Sequence, residues 1–162
     1  METVIIALGS NLGNRLKMLK RAGSFLENLS EKPIKKASIW ESEPVGGARY
    51  TFYNSAAEIA TTLTPTDLLK RLKEFEQECG REKKPVRWGP RILDMDIILY
   101  GDLVIHEDTL IIPHQDYKER LFVLYPLQEI DTYIKDPITN IPVDEMITRA
   151  PSIEIHKTDL IW

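Results

Sequence analysis

Arg87-Trp88-Gly89-Pro90-Arg91-Ile92-Leu93-Asp94-Met95-Asp96-Ile97-Ile98-Leu99-Tyr100 is the stretch on which the reading of this chain turns. From Leu93 to Tyr100 it is rich in β-branched and apolar residues, with Gly89-Pro90 upstream and Gly101-Asp102 downstream, which predicts a strand rather than a helix. Alternation along a strand puts Leu93, Met95, Ile97 and Leu99 on one face, a ready core face, and Asp94, Asp96, Ile98 and Tyr100 on the other. Asp94 and Asp96 then lie roughly 6–7 Å apart at Cα, two steps of about 3.3 Å, so their oxygens can converge on shared hard cations. Carboxylates so placed repel unless something positive neutralises them. Magnesium is one answer, since it takes one or two carboxylates and fills its shell with water and phosphate. An ordinary salt-bridge network with Arg87, Arg91 and nearby lysines is the other.

The surroundings favour the first. Arg81, Lys83, Lys84, Arg87 and Arg91 stand against the single acid Glu82, inside a chain whose formal net charge is −4. A basic loop containing Gly and Pro that runs into paired carboxylates suits polyphosphate chemistry, with cations for phosphate oxygens and carboxylates for a bridging metal. On these residues the chain resembles the 6-hydroxymethyl-7,8-dihydropterin pyrophosphokinase family, whose signature is similar to Arg-Trp-Gly-Pro-Arg-x-Leu-Asp-x-Asp-Ile-x-Leu-Tyr. The resemblance implies transfer of the β,γ-pyrophosphoryl group of ATP to a pterin hydroxymethyl oxygen, in folate biosynthesis. It covers nearly all the chain to about Gln128 and is weak from Asp131 to Trp162.

Outward from that stretch, Thr3 to Leu8 is a short apolar run stopped by Gly9-Ser10-Asn11 and reads as a buried strand. Asn11 or Asn14 can cap the helix that follows, in which Leu16, Leu19, Ala22 or Gly23, Leu26 and Leu29 recur at helical spacing. Gly9 to Gly13 lacks the Gly-Lys-Ser/Thr ending of a P-loop and reads as a tight turn. A second strand is expected over Ile34 to Trp40, a loop over Glu41 to Gly47, and a third strand over Phe52 to Thr62. Thr64 as N-cap and Pro65 at the first helical position open a second helix with Leu68, Leu72, Phe75 and Cys79 inward, stopped by Gly80. The order strand, helix, strand, strand, helix, strand predicts an α+β fold of ferredoxin-like type, an antiparallel sheet with both helices on one face and Asp94 and Asp96 on the open face. Beyond it, Tyr100 to Leu103 predicts a hairpin turn into Leu103-Val104-Ile105, and short helices are expected over Lys118 to Tyr125 and Val143 to Ile147.

At 162 residues the chain is expected to form one domain over 1–162, with a substantial core. Mild acidity argues against broad nucleic-acid binding, and no apolar run reaches membrane-spanning length. The single cysteine, Cys79, rules out an internal disulfide and fits a reducing cytoplasm. A monomer with small-molecule substrates is the expectation.

For the site, Asp94 and Asp96 are expected to hold two magnesium ions that also grip ATP. Arg81 and Arg91, opening and closing the basic loop, are the best candidates for phosphate contacts and for catalysis. Trp88 could anchor its loop in the core or fold over bound substrates, and the resemblance favours the second. The resemblance also implies that His114 of a Pro-His pair lies on the ATP phosphates, that Arg120 contacts substrate, and that Glu76 and Ile97 lie near the nucleotide. From the residues alone, His114 reads as structural and Glu76, off its helix's apolar stripe, as surface charge. For the pterin, the resemblance implies Phe52 and Phe122 as stacking faces, Asn54 reading the edge, and Ser42 and Val45 contributing from the loop, with Trp88 and Asp94 also facing substrate. A nucleotidyltransferase would use similar carboxylates but release pyrophosphate. A non-catalytic ligand-binding domain would show no turnover and keep ligand binding after Asp94→Ala.

Overall fold

The computed structural model describes residues 1–44, 50–80 and 92–162. Strand β1 (Glu2–Ser10) lies between β4 (Phe52–Thr61) and β5 (Asp94–Tyr100), antiparallel to both. Helix α1 (Arg15–Leu29) starts at Asn14, whose side chain accepts the Lys17 amide at 3.1 Å, and it turns Leu19, Ala22, Gly23 and Leu26 inward. Helix α2 (Pro65–Glu78) is capped by Thr64, which accepts the Asp67 amide at 3.1 Å. Gly80 ends it at φ +102°, a left-handed backbone that glycine adopts without strain.

The second strand is not continuous. It divides into β2 (Lys35–Lys36) and β3 (Trp40–Ser42), both paired with β4, and the Ser55 hydroxyl lies 3.0 Å and 2.9 Å from the Ala37 and Ser38 carbonyls at the break. After β5 come β6 (Ile105–Glu107), β7 (Leu110–Ile112), a turn of 3-10 helix at Tyr117–Glu119, α3 (Leu121–Ile130), α4 (Val143–Arg149) and β8 (Ile155–Lys157). The sheet runs β5-β1-β4-β3-β8.

Several expectations are corrected. The turn after Tyr100 forms, with the Leu103 amide donating to the Tyr100 carbonyl at 3.0 Å, but β6 pairs with β7 rather than returning along β5. The helix expected over Lys118 to Tyr125 is split, because the 3-10 turn ends before α3 begins at Leu121. The expected single helical layer is half of the arrangement. One core joins α1 and α2 to Val4, Ile6, Leu8, Met95 and Ile97, and a second joins α3 and α4 to Ile5, Ala56, Ile98 and Leu99 on the opposite face.

Parity along β5 also changes midway. Ile5 pairs with Leu99 and Ile6 with Ile97, leaving Ile98 as an extra residue, a β-bulge. Before it, Leu93, Met95 and Ile97 face α1 and α2 as expected; after it, Tyr100 joins that core and Leu99 crosses to the other, the reverse of strict alternation. Asp94 and Asp96 precede the bulge, so they lie with Ile98 on the α3 face.

Candidate active site

The sheet register assembles one surface from residues far apart in sequence. Trp40, Asn54, Gly9 and Asp94 form one cross-sheet row; Ala56, Ala7 and Asp96 form a second row on the same face, and Ser42 with Phe52 a third. Between Asn54 and Asp94 stands only glycine, and a Cβ on Gly9 would come 3.7 Å from Asn54 Oδ1 and 3.8 Å from the Phe52 ring. The row therefore has a bare floor where a flat ligand could rest. Asn54 is buried, and its amide nitrogen donates to Ser42 Oγ at 2.8 Å and the Trp40 carbonyl at 3.2 Å. That fixes the amide's orientation and turns its oxygen toward the Gly9 floor. Phe122 enters on the same face from the first turn of α3, partly buried against the second core, with the Arg120 guanidinium 5.7 Å from its ring centroid.

Asp94 and Asp96 are both half-buried, neither turned into the core nor fully solvated. Asp96 Oδ1 lies 3.5 Å from Lys73 Nζ, and Oδ2 lies 4.0 Å from His114 Nε2. His114 is held by its own main chain, its amide donating to the Ile98 carbonyl at 3.0 Å. Its Nδ1 accepts the Asp116 amide at 3.2 Å, which leaves the ring proton on Nε2, facing Asp96. Burial, aided by Arg120, lowers its pKa below the usual histidine value against the opposing fields of Asp96, Asp116 and Asp94. Arg120 reaches Asp116 at 3.4 Å.

Glu76 is where the reading from residues alone fails. It is 1% exposed rather than a surface charge. Its Oε1 accepts the Met95 amide at 2.6 Å and the Lys73 ammonium at 3.0 Å, while Lys73 donates to the Met95 carbonyl at 2.8 Å. Among the described residues β5 lies at the edge of the sheet, and the outward amide and carbonyl of Met95 have no ladder partner there. Two side chains from α2 satisfy both, at the residue between the two aspartates. Burial by itself would lower the Lys73 pKa, but the fields of Asp96, Glu76 and Asp94 outweigh it and raise it, so the ammonium stays charged. Nothing in the sequence analysis singled out Lys73; its place three residues before Glu76, on one helix face, was the available signal.

Ile97 is buried in the first core, so its side chain is not available to a ligand. Val45, Arg81, Trp88 and Arg91 lie outside the described residues. Arg15 is a further residue that pattern reading missed. Its guanidinium stacks 3.7 Å above the Tyr53 ring, bonds Thr51 Oγ1 at 2.7 Å, and pairs with Glu41 at 3.4 Å. It thereby holds the residues immediately before Phe52 and Ser42.

Asp94 and Asp96 offer hard oxygen donors on one face. Among the described residues no group of three His, Cys, Asp or Glu side chains is arranged to hold a metal ion. The pair therefore suits a cation that completes its shell with water and ligand oxygens, as magnesium does.

The profile of the 7,8-dihydro-6-hydroxymethylpterin-pyrophosphokinase family matches residues 5–132. The 2-amino-4-hydroxy-6-hydroxymethyldihydropteridine pyrophosphokinase of Bacillus subtilis is 42% identical over 142 residues, covering 86% of this chain and 84% of that protein. The folate synthesis bifunctional protein of Arabidopsis thaliana is 40% identical over 156 residues, 96% of this chain but 31% of that protein. Among solved structures, Plasmodium falciparum HPPK-DHPS with SDX-DHP superposes with a TM-score of 0.73 over 91% of this chain and 44% of that one, at 14% identity, a likeness of fold. The chain thus spans most of its single-function relative and less than half of the bifunctional ones.

Proposed function

The chain belongs to the 7,8-dihydro-6-hydroxymethylpterin-pyrophosphokinase family, and on that premise we propose that it transfers the β,γ-pyrophosphoryl group of ATP to the hydroxymethyl oxygen of 6-hydroxymethyl-7,8-dihydropterin, releasing AMP, in folate biosynthesis. The observation that carries the reading is the cross-sheet row in which Asn54, Gly9 and Asp94 stand side by side. An edge-reading amide, a bare floor and a carboxylate in that order suit a flat heteroaromatic whose reacting arm reaches an acidic, cation-binding end.

The pterin lies between Phe52 and Phe122. Asn54 presents its oxygen, since its nitrogen is committed to Ser42 and Trp40, and so accepts from the N–H donors of the pterin edge. Ser42 borders the same pocket, and Val45 is assigned a pterin contact on the family resemblance. Asp94 and Asp96 would hold two magnesium ions, which would supply positive charge to neutralise the phosphates. Arg81, Arg91, His114 and Arg120 contact the phosphates. Glu76 serves the nucleotide end by fixing Met95, Ile97 can offer only main chain, and Trp88 folds over the substrates to exclude water. With both substrates held, positioning and electrostatics carry the transfer.

The strand order β5-β1-β4-β3 with crossing helices α1 and α2 supports reading the core as ferredoxin-like, elaborated by a second helical layer and β8. Residues 1–162 are read as one domain acting as a monomer in the cytoplasm. Among the described residues no helix is long and apolar enough to cross a membrane.

Phosphorus NMR of the protein with ATP, magnesium and 6-hydroxymethyl-7,8-dihydropterin tests the reaction. Pterin pyrophosphate and AMP are expected. ADP as product would overturn the reaction class, and free pyrophosphate with an adenylylated acceptor would replace it by nucleotidyl transfer.

A further inference from the structure

We infer that Lys73 is a positioning residue that acts as the resident counter-cation of the acidic strand, holding Asp96 in place and weakening its grip on a divalent cation until a ligand contributes its own oxygens. The inference rests on the proposed role of Asp94 and Asp96 and goes beyond it, since it gives Lys73 a role exerted through Asp96.

Three observations carry it. Lys73 Nζ lies at once 2.8 Å from the Met95 carbonyl, 3.0 Å from Glu76 Oε1 and 3.5 Å from Asp96 Oδ1. Glu76, almost wholly buried, also takes the Met95 amide at 2.6 Å, so the ammonium is fixed from below by groups that cannot move with solvent. The lysine side chain is 37% exposed and Asp96 is 32% exposed, so the contact between them faces the side from which a cation would arrive. A divalent ion bound to Asp96 must share that carboxylate with a fixed positive charge a few ångströms away, and like charges at that range repel. The same positive charge offsets part of the repulsion between the two aspartates when no metal is present, since the fields of both reach it. Among the described residues, this ammonium group thus links strand geometry to cation affinity.

Manganese binding to the ligand-free full chain, followed by the electron paramagnetic resonance of free Mn²⁺, tests this without reference to turnover. Lys73→Gln keeps a donor for the Met95 carbonyl and removes the charge, and Lys73→Met removes both; each is expected to bind Mn²⁺ about tenfold more tightly than the parent chain. Lys73→Arg, which retains the charge, and Lys70→Met, which removes an exposed charge paired with Glu74 on the same helix, are expected to leave the affinity unchanged. If Lys73→Gln, folded by circular dichroism, binds Mn²⁺ with parental or weaker affinity, or if Lys70→Met tightens it equally, the inference is overturned while the site reading stands. If Asp96→Asn binds as tightly as the parent, the cation reading itself fails and takes this inference with it.

Discussion

Asp136 and Asp96 each stand within ion-pair distance of a lysine, Lys118 at 3.8 Å and Lys73 at 3.5 Å, yet their remaining surroundings differ. Asp136 is 1% exposed and accepts the Tyr117 hydroxyl at 2.6 Å, the Thr139 amide at 2.8 Å, the Thr139 hydroxyl at 2.9 Å and the Ile138 amide at 3.2 Å. Its lone pairs are used up within the fold, and the result is a rigid corner that ties the segment after His114 to the loop before α4. Asp96, a third exposed, meets its described partners only at ion-pair distances. A carboxylate whose acceptors are filled by the protein stabilises the protein; one that keeps acceptors turned to solvent can serve a ligand.

The strongest way to break this contrast is to delete each acid. Asp96→Ala is expected to lower turnover by about a thousandfold, the scale of losing a main electrostatic contact at such a site, with unfolding free energy changed by less than about 1 kcal/mol. Asp136→Ala should do the opposite, costing about 3 kcal/mol of stability by stranding the Tyr117 hydroxyl and the Thr139 amide, with turnover of the folded fraction changed little. Steady-state kinetics and urea unfolding on both variants decide it; equal stability losses would erase the distinction.

A smaller effect sharpens the same point. Tyr117→Phe removes one of the four donors to Asp136, and a stability loss of about 1–2 kcal/mol by urea unfolding is expected. Acid titration separates the acids further. Burial by itself would raise the Asp136 pKa, but hydrogen bonds from Tyr117 and Thr139 and the charge of Lys118 outweigh it and hold it below the usual carboxylate value. A carboxylate depressed in the folded state contributes stability above its unfolded pKa, about 3.9, and that contribution is lost as pH falls through the folded value. Stability of the parent chain should therefore fall below about pH 4, and Asp136→Asn should flatten that slope; an unchanged slope would deny Asp136 its role. The smallest effect concerns the pterin. Phe122→Ala should raise KM for the pterin about three- to tenfold and leave KM for ATP unchanged, the size of one lost aromatic contact.

Much of the fold was legible because caps and periods agree with tertiary structure. Asn14, Thr64, Pro65 and Gly80 punctuate the helices where the chain predicts. The bulge in β5 was not legible, because Ile97, Ile98 and Leu99 are all apolar and a parity change among them leaves no polar residue on the wrong face. Glu76 misled because a charged side chain is ordinarily solvated, whereas here its burial is matched by the Met95 amide of β5 and the Lys73 ammonium. The second layer of α3 and α4 escaped because the open face was inferred from strand order alone. β8 escaped for a different reason: three residues, Ile155–Lys157, carry too little pattern to announce a strand. At the site, Asp94, Asp96 and Asn54 could be named from sequence, but their alignment through Gly9 depends on register between three strands, which composition does not reveal.

The account depends on Asp94 and Asp96 receiving a cation together with a nucleotide's phosphates. Crystals of the chain grown with Mn²⁺, a non-hydrolysable ATP analogue and pterin, measured at the manganese absorption edge, test that directly. The account predicts anomalous density bridging Asp94, Asp96 and the phosphates, with the pterin over Gly9; manganese bound elsewhere, with both aspartates facing solvent, would contradict it.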